Sequence, residues 1–171
     1  MKKLVYILSF LLLTGGVAFA QKYAFVDTEY ILSNIPSYKA AQEQLDKISK
    51  DFEQEISDRY AEVDKMYKAY QNEVVLLTQD MRKKREDEIV KKEQEVKDLQ
   101  QKYFGPDGDL FKKREELVKP IQDEIYNAVK EIAVEGNYAV IFDTASGPAF
   151  LYTNPRYDLS DLVLKKMGYK D

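Results

Sequence analysis

From Tyr38 to Leu77 the chain runs without a Gly or a Pro, and its apolar residues fall along one narrow stripe. The stripe passes through Tyr38, Ala41, Leu45, Ile48, Phe52, Ile56, Tyr60, Val63, Tyr67, Tyr70, Val74 and Leu77. Its mean step is about 3.55 residues, the period of a coiled-coil seam, with a local slip at 48–60 where successive steps are all four. Residues off the stripe are mostly charged or amide, so this helix needs a partner along one face. At roughly 1.5 Å per residue it makes a rod of about 60 Å, far longer than a compact domain of this mass requires.

The partner follows at once. Thr78 reads as an N-cap and Asp80 suits the first turn of a second helix. The seam continues through Met81, Ile89, Val96, Leu99 and Tyr103, with Arg85 and Lys92 in the positions between. Gly105-Pro106-Asp107-Gly108 interrupts it, and the pattern resumes at Leu110/Phe111, Leu117/Val118, Ile121, Ile125, Ala128/Val129 and Ile132. Pro120 is expected to kink this stretch, and Glu135-Gly136-Asn137 to end it through a Gly cap. With almost no linker between them, the limbs fold back as an antiparallel hairpin.

The period changes at both chain ends. Lys22–Val26 alternates and reads as a strand, followed by Asp27 as a helix cap, a break at Asn34–Pro36 and Ser37 as a further N-cap. Tyr138–Phe142 is a continuous apolar run of strand length, and Ala149–Tyr152 reads as a further strand. Asp158 is placed to cap a last amphipathic helix stopped by Gly168. The terminal strands bracket the hairpin, so Tyr23–Val26 and Ala139–Phe142 are expected to pair at its base. The fold class is therefore α+β, mainly α: a long coiled-coil arm (36–135) on a small β-stranded body (21–35 and 136–171). Such a body is too small to be self-sufficient and leaves open sheet edges, which points to oligomerisation. Its contact residues are expected among Tyr23, Phe25, Val26, Val140, Ile141, Phe142, Phe150 and Leu151. On this reading Val140→Asp or Phe142→Asp dissociates or unfolds the body.

Residues 1–20 have the form of a secretory signal peptide. Lys2 and Lys3 precede an apolar run from Leu4 to Leu13, and Ala18-Phe19-Ala20 supplies a small-x-small cleavage pattern before Gln21. The leader holds two Lys and no acid, so its removal takes the formal net charge from −4 to −6.

Composition excludes whole chemistries. With no Cys and no His there is no disulfide framework, Cys/His zinc site, Ser-His-Asp triad or Cys-His nucleophile. Neither G-x-x-x-x-G-K-[ST] nor G-x-G-x-x-G occurs, which argues against ATP-driven action. Asp107-Gly108-Asp109 lacks the further ligands of a Ca²⁺ loop and reads as a turn. Asp27 and Asp143 follow strands and are candidates for a carboxylate pair, but strand-end Asp more often caps a turn. No catalytic residue, metal or cofactor is expected, and an acidic secreted chain is a poor nucleic-acid partner.

Candidate contact residues lie on the arm. Tyr60, Tyr67 and Tyr70 are seam positions whose rings can also meet apolar segments of an unfolded chain. Met66 adds an adaptable neighbour. Arg82, Lys83, Lys84 and Arg85 form either a patch for an acidic client surface or anionic lipid headgroups, or a solvated helix face, since Glu86-Asp87-Glu88 follows.

The ordered set resembles the Skp/OmpH family of periplasmic outer-membrane-protein chaperones. It comprises a leader, Ala24-Phe25-Val26-Asp27 with Tyr30-Ile31-Leu32 and Pro36, and a long charged hairpin. Lys119-Pro120-Ile121-Gln122, Ala128–Ala133, the strand Tyr138–Asp143 and Asp158-Leu159-Ser160-Asp161 complete it. The resemblance implies a jellyfish-like homotrimer whose arms surround a cavity, and ATP-independent holding of unfolded outer-membrane β-barrel proteins in the periplasm. A secreted coiled-coil adaptor for a folded envelope partner is the alternative. The best-known relatives are basic, whereas this mature chain is acidic, which weighs against lipid contact. The Gly105–Gly108 break also departs from a wholly helical arm.

Overall fold

The computed structural model describes residues 21–145 and 150–170. The expected leader, its cleavage point and Ala149 lie outside the described residues. In chain order the elements are β1 (Lys22–Val26), α1 (Thr28–Ser33), α2 (Pro36–Glu73), α3 (Gln79–Phe104), α4 (Asp109–Gly136), β2 (Tyr138–Asp143), a 3-10 turn (Pro155–Tyr157) and α5 (Ser160–Lys166). No helix among the described residues is long and apolar enough to cross a membrane.

The hairpin forms where the spacing places it. α2 is unbroken from base to tip, the chain turns through 74–77, and α3 starts behind Thr78, whose hydroxyl accepts from the Met81 amide at 3.4 Å. The helix starts at Pro36 rather than behind Ser37: Ile35 holds the N-cap position without a side-chain cap. A Pro at the first helical position costs nothing, since its missing donor would be unpaired there anyway, and Ile35 is needed in the core, where it is fully buried. α4 continues through Pro120. The carbonyl that Pro120 deprives of a partner belongs to Glu116, an exposed residue that water can satisfy.

The helix end is set by Asn137, not Gly136. Asn137 takes the left-handed conformation (φ 52°, ψ 45°), and its amide donates back toward Ala133 and Val134. Gly136 serves a different need, because a Cβ there would stand 2.2 Å from the Tyr138 ring.

β1 and β2 pair in parallel, Tyr23 opposite Val140, Ala24 opposite Ile141, Phe25 opposite Phe142 and Val26 opposite Asp143. Parallel strands require a crossover, and here the entire arm is the crossover. The expected third strand does not form among the described residues: the sheet has two strands, and Phe150–Tyr152 is irregular. The Leu159 amide instead donates to the Phe25 carbonyl at 2.8 Å, covering part of the β1 edge.

The body core lies on one face of this sheet. Ala24 and Val26 point into it, with Ile31 and Ile35 from the α1 region, Ile121, Ile125, Ala128 and Ile132 from α4, and Leu159, Val163 and Leu164 around α5. Fully burying each large aliphatic there stabilises the fold by about 1.5–3 kcal/mol. The only buried polar side chain among the described residues is satisfied: Ser160 Oγ accepts from the Asp27 amide at 2.8 Å and donates to Asp158 at 2.6 Å. Asp158 also accepts from the Ser160 amide, but it is not the N-cap of α5: Leu159 holds that position without a side-chain cap.

Candidate functional site

Two surfaces present side chains that the chain itself does not cover. The first is the outer face of the sheet. Side chains alternate along a strand, so burying Ala24 and Val26 turns Tyr23 and Phe25 outward, with Val140 and Phe142 beside them. Phe25 packs against Phe142 at 5.8 Å between ring centroids and edge-on against Phe150 at 5.4 Å. Phe142 also meets Tyr23 and Phe150. This cluster remains open: Tyr23 is 46% exposed, Val140 41% and Phe142 38%. Leu151 is wholly exposed. Val26 and Ile141 lie on the inner face, the first buried and the second packed against the core. The eight body residues singled out from the sequence thus divide into an uncovered set of four aromatics with Val140 and Leu151, and an inward pair.

The second surface is on the arm. Its distal seam is closed by Ile56 and Val63 of α2 against Ile89, Val96 and Tyr103 of α3, with Phe52, Met66, Tyr70 and Leu99 packed on them. Phe52 stacks flat on Tyr103 at 3.8 Å. Tyr70 and Met66 therefore belong to the seam, whereas Tyr60 and Tyr67 do not; both are about half exposed. The stripe drifts at the slip, and the partner helix meets Met66 and Tyr70 instead.

Helical rotation of ~100° per residue then sets where each side chain stands around the arm. Glu55 and Glu62 of α2 share a cavity of about 330 Å³ with Arg59, Lys92 and Glu95. Tyr60 and Tyr67 lie about a third of a turn or more from Glu55 and Glu62 and about a quarter of a turn from Arg59. Phe104, nine residues and half a turn beyond Glu95, lies away from that cavity too. At the Gly105–Gly108 break Phe104 and Phe111 line a notch of about 260 Å³ with Pro106, Leu110 and Arg114. Tyr60, Tyr67 and Phe104 thus lie on the flank of the seam away from the charged cavity, exposed among charged residues such as Asp64 and Lys68. Sequence reasoning placed Phe111 in the resumed apolar pattern and did not single out Phe104 or Phe111 as contact residues; their flanking of the Gly-Pro-Asp-Gly break was the available signal.

The polar groups of the seam are tied in pairs. The Tyr103 hydroxyl donates to Glu55 at 2.6 Å, and the Tyr70 hydroxyl donates to Glu86. In both, the accepting carboxylate pushes the phenol pKa up, with burial adding to the effect. Lys92 donates to Glu95 at 2.7 Å and holds that carboxyl below its usual range.

The basic run is interleaved with acidic neighbours and partly paired. Arg82 Nε donates to the Leu77 carbonyl at the tip, Arg85 pairs with Glu88 at 3.3 Å, and Lys83 and Lys84 alternate with Asp80, Asp87 and Glu88. Val75 and Leu76 stand exposed at the turn.

Asp27 and Asp143 come close together as local structure. Asp27 accepts from the Tyr30 amide at 2.9 Å, while Asp143 accepts from the Thr28 amide and hydroxyl and from the Ala145 amide. Each carboxylate orders the chain leaving a strand. No cluster of potential metal ligands occurs among the described residues.

Comparison with known proteins agrees with this architecture. The fold is similar to the crystal structure of a candidate OmpH-like outer membrane chaperone from Caulobacter crescentus CB15. The TM-score is 0.67 at 16% identity, covering 89% of this chain and 86% of that one. Among curated proteins none matches the chain significantly. The family described as outer membrane protein (OmpH-like) matches residues 22–167, nearly the whole chain including both strands and the arm, and the chain belongs to that family.

Proposed function

We propose that this protein is a nucleotide-independent holding chaperone of the periplasm. It is exported by a cleaved leader, assembles as a homotrimer and shelters unfolded outer-membrane β-barrel proteins between its arms. The observation that carries the proposal is the set of exposed rings along the arm. Tyr60, Tyr67, Phe104 and Phe111 offer aromatic area off the seam, while the charged residues around them keep the rod soluble. Dispersed rings on a long rod suit a client with no fixed shape, since each contact is weak and none demands a particular partner geometry.

Assembly is assigned to the outer sheet face, where Tyr23, Phe25, Val140, Phe142, Phe150 and Leu151 would be covered by neighbouring copies. An exposed apolar patch of this kind is unusual in a monomer and favours a partner. Holding then follows by mass action: binding lowers the free client below the concentration at which it aggregates, and release follows when a stronger sink accepts it.

The test mixes purified protein with a denatured β-barrel protein, without nucleotide, and follows light scattering. Suppression at stoichiometric trimer is expected, together with a mass increase of one client per assembly. Unchanged scattering overturns the proposal, and filaments or a closed bundle that takes no client would favour the adaptor alternative.

A further inference from the structure

We infer that the distal arm, from Phe52 to Tyr103, is a separate cooperative unit that opens along its own seam while the body and proximal limb stay folded. The two largest apolar clusters share no member, one at the base and one in the distal hairpin, with only Ala41, Leu45 and Val118 buried on the limb between them. Between them the return limb is interrupted at Gly105–Gly108, so α3 can leave α2 without dragging α4.

That joint is built tightly. The Gly105 amide donates to the Gln101 carbonyl at 2.8 Å and the Gly108 amide to the Gly105 carbonyl at 2.9 Å. Lys102 reaches Asp109 across it at 3.7 Å. The stack of Phe52 on Tyr103, with Tyr103 bonded to Glu55, closes the distal unit at this level.

Beyond the stack the seam is weak. Lys92 occupies the position between Ile89 and Val96, and a cavity of about 330 Å³ opens beside it. The tip exposes Val75 and Leu76. Segments with few buried apolar contacts open first, and they open as units. Opening bares Ile56, Val63, Ile89 and Val96, a stripe able to receive the apolar residues of an unfolded chain. This last step alone rests on the holding role proposed above.

Native-state hydrogen exchange on the full assembled chain, without client, tests the inference. Amides of 56–70 and 86–101 are expected to exchange together, at least tenfold faster than those of 121–132. Lys92→Leu should slow the distal group at least tenfold and Ile89→Ala speed it by a similar factor, both leaving 121–132 unchanged. One common protection level from 56 to 132, or variants that shift both groups equally, overturns separate opening. If opening is separate but Lys92→Leu suppresses client aggregation as well as the parent does, the opened seam is not the client's surface, while the holding role stands.

Discussion

Individual residues carry tight steric and electrostatic demands. A Cβ on Gly108 would lie 2.7 Å from the Tyr103 carbonyl oxygen and 2.9 Å from both the Lys102 oxygen and the Gly105 nitrogen. These are backbone atoms of the joint and cannot step aside as a side chain would. Gly108→Ala is therefore expected to cost about 1–3 kcal/mol, read as a lower denaturation midpoint. At the end of α4 the left-handed backbone of Asn137 predicts a graded response. Asn137→Gly should be nearly neutral, and Asn137→Ala should lose about 1 kcal/mol in the same measurement. Tyr103→Phe removes the hydroxyl held by Glu55 and should destabilise the distal arm by about 0.5–1.5 kcal/mol.

At the scale of elements, the arm is a seam whose period wanders. Three successive steps of four on a helix of ~3.6 residues per turn carry the stripe about 40° further round at each step, from Ile48 to Tyr60. Val63 and Tyr70 step back to face the partner, where Met66 joins them, and Tyr60 and Tyr67 are left at the flank. The Tyr–Glu pairs also make the distal seam sensitive to alkali. Raised phenol pKa values in the folded arm mean that this contribution is full below the unfolded tyrosine pKa, about 10, and is lost as pH rises through the folded values. The depressed Glu95 carboxyl acts oppositely: its contribution is present above the ordinary carboxylate range and lost as pH falls through the folded value. Circular dichroism should show distal helix loosening above about pH 10, and Tyr70→Phe with Tyr103→Phe should remove that alkaline step.

The whole molecule depends on a sheet with one face inward and one outward. Ala24 lies wholly inside the body core, so Ala24→Asp would bury an unpaired charge and should unfold the body. Phe142 lies on the open face, and Phe142→Asp is expected to leave each chain folded while breaking assembly. Sedimentation velocity with circular dichroism separates the two. A helical monomer is expected for Phe142→Asp, and lost helix signal for Ala24→Asp. An intact oligomer with Phe142→Asp would show that the aromatic face is not where copies meet.

Much of this was written locally and could be read locally. The long α2 helix, the turn before Thr78, the Gly105–Gly108 break, the Asp27 cap and the existence of the two terminal strands all follow from period, caps and turn residues. Those signals depend only on near neighbours along the chain. What tertiary structure alone decided was strand sense and company. The parallel sense of the sheet and the company kept by Met66 and Tyr70 in the seam depend on side chains far away in sequence. So does the irregular path of Phe150–Tyr152. Contacts between strands and helices that meet only in the fold determine these outcomes, and no window of sequence contains both partners.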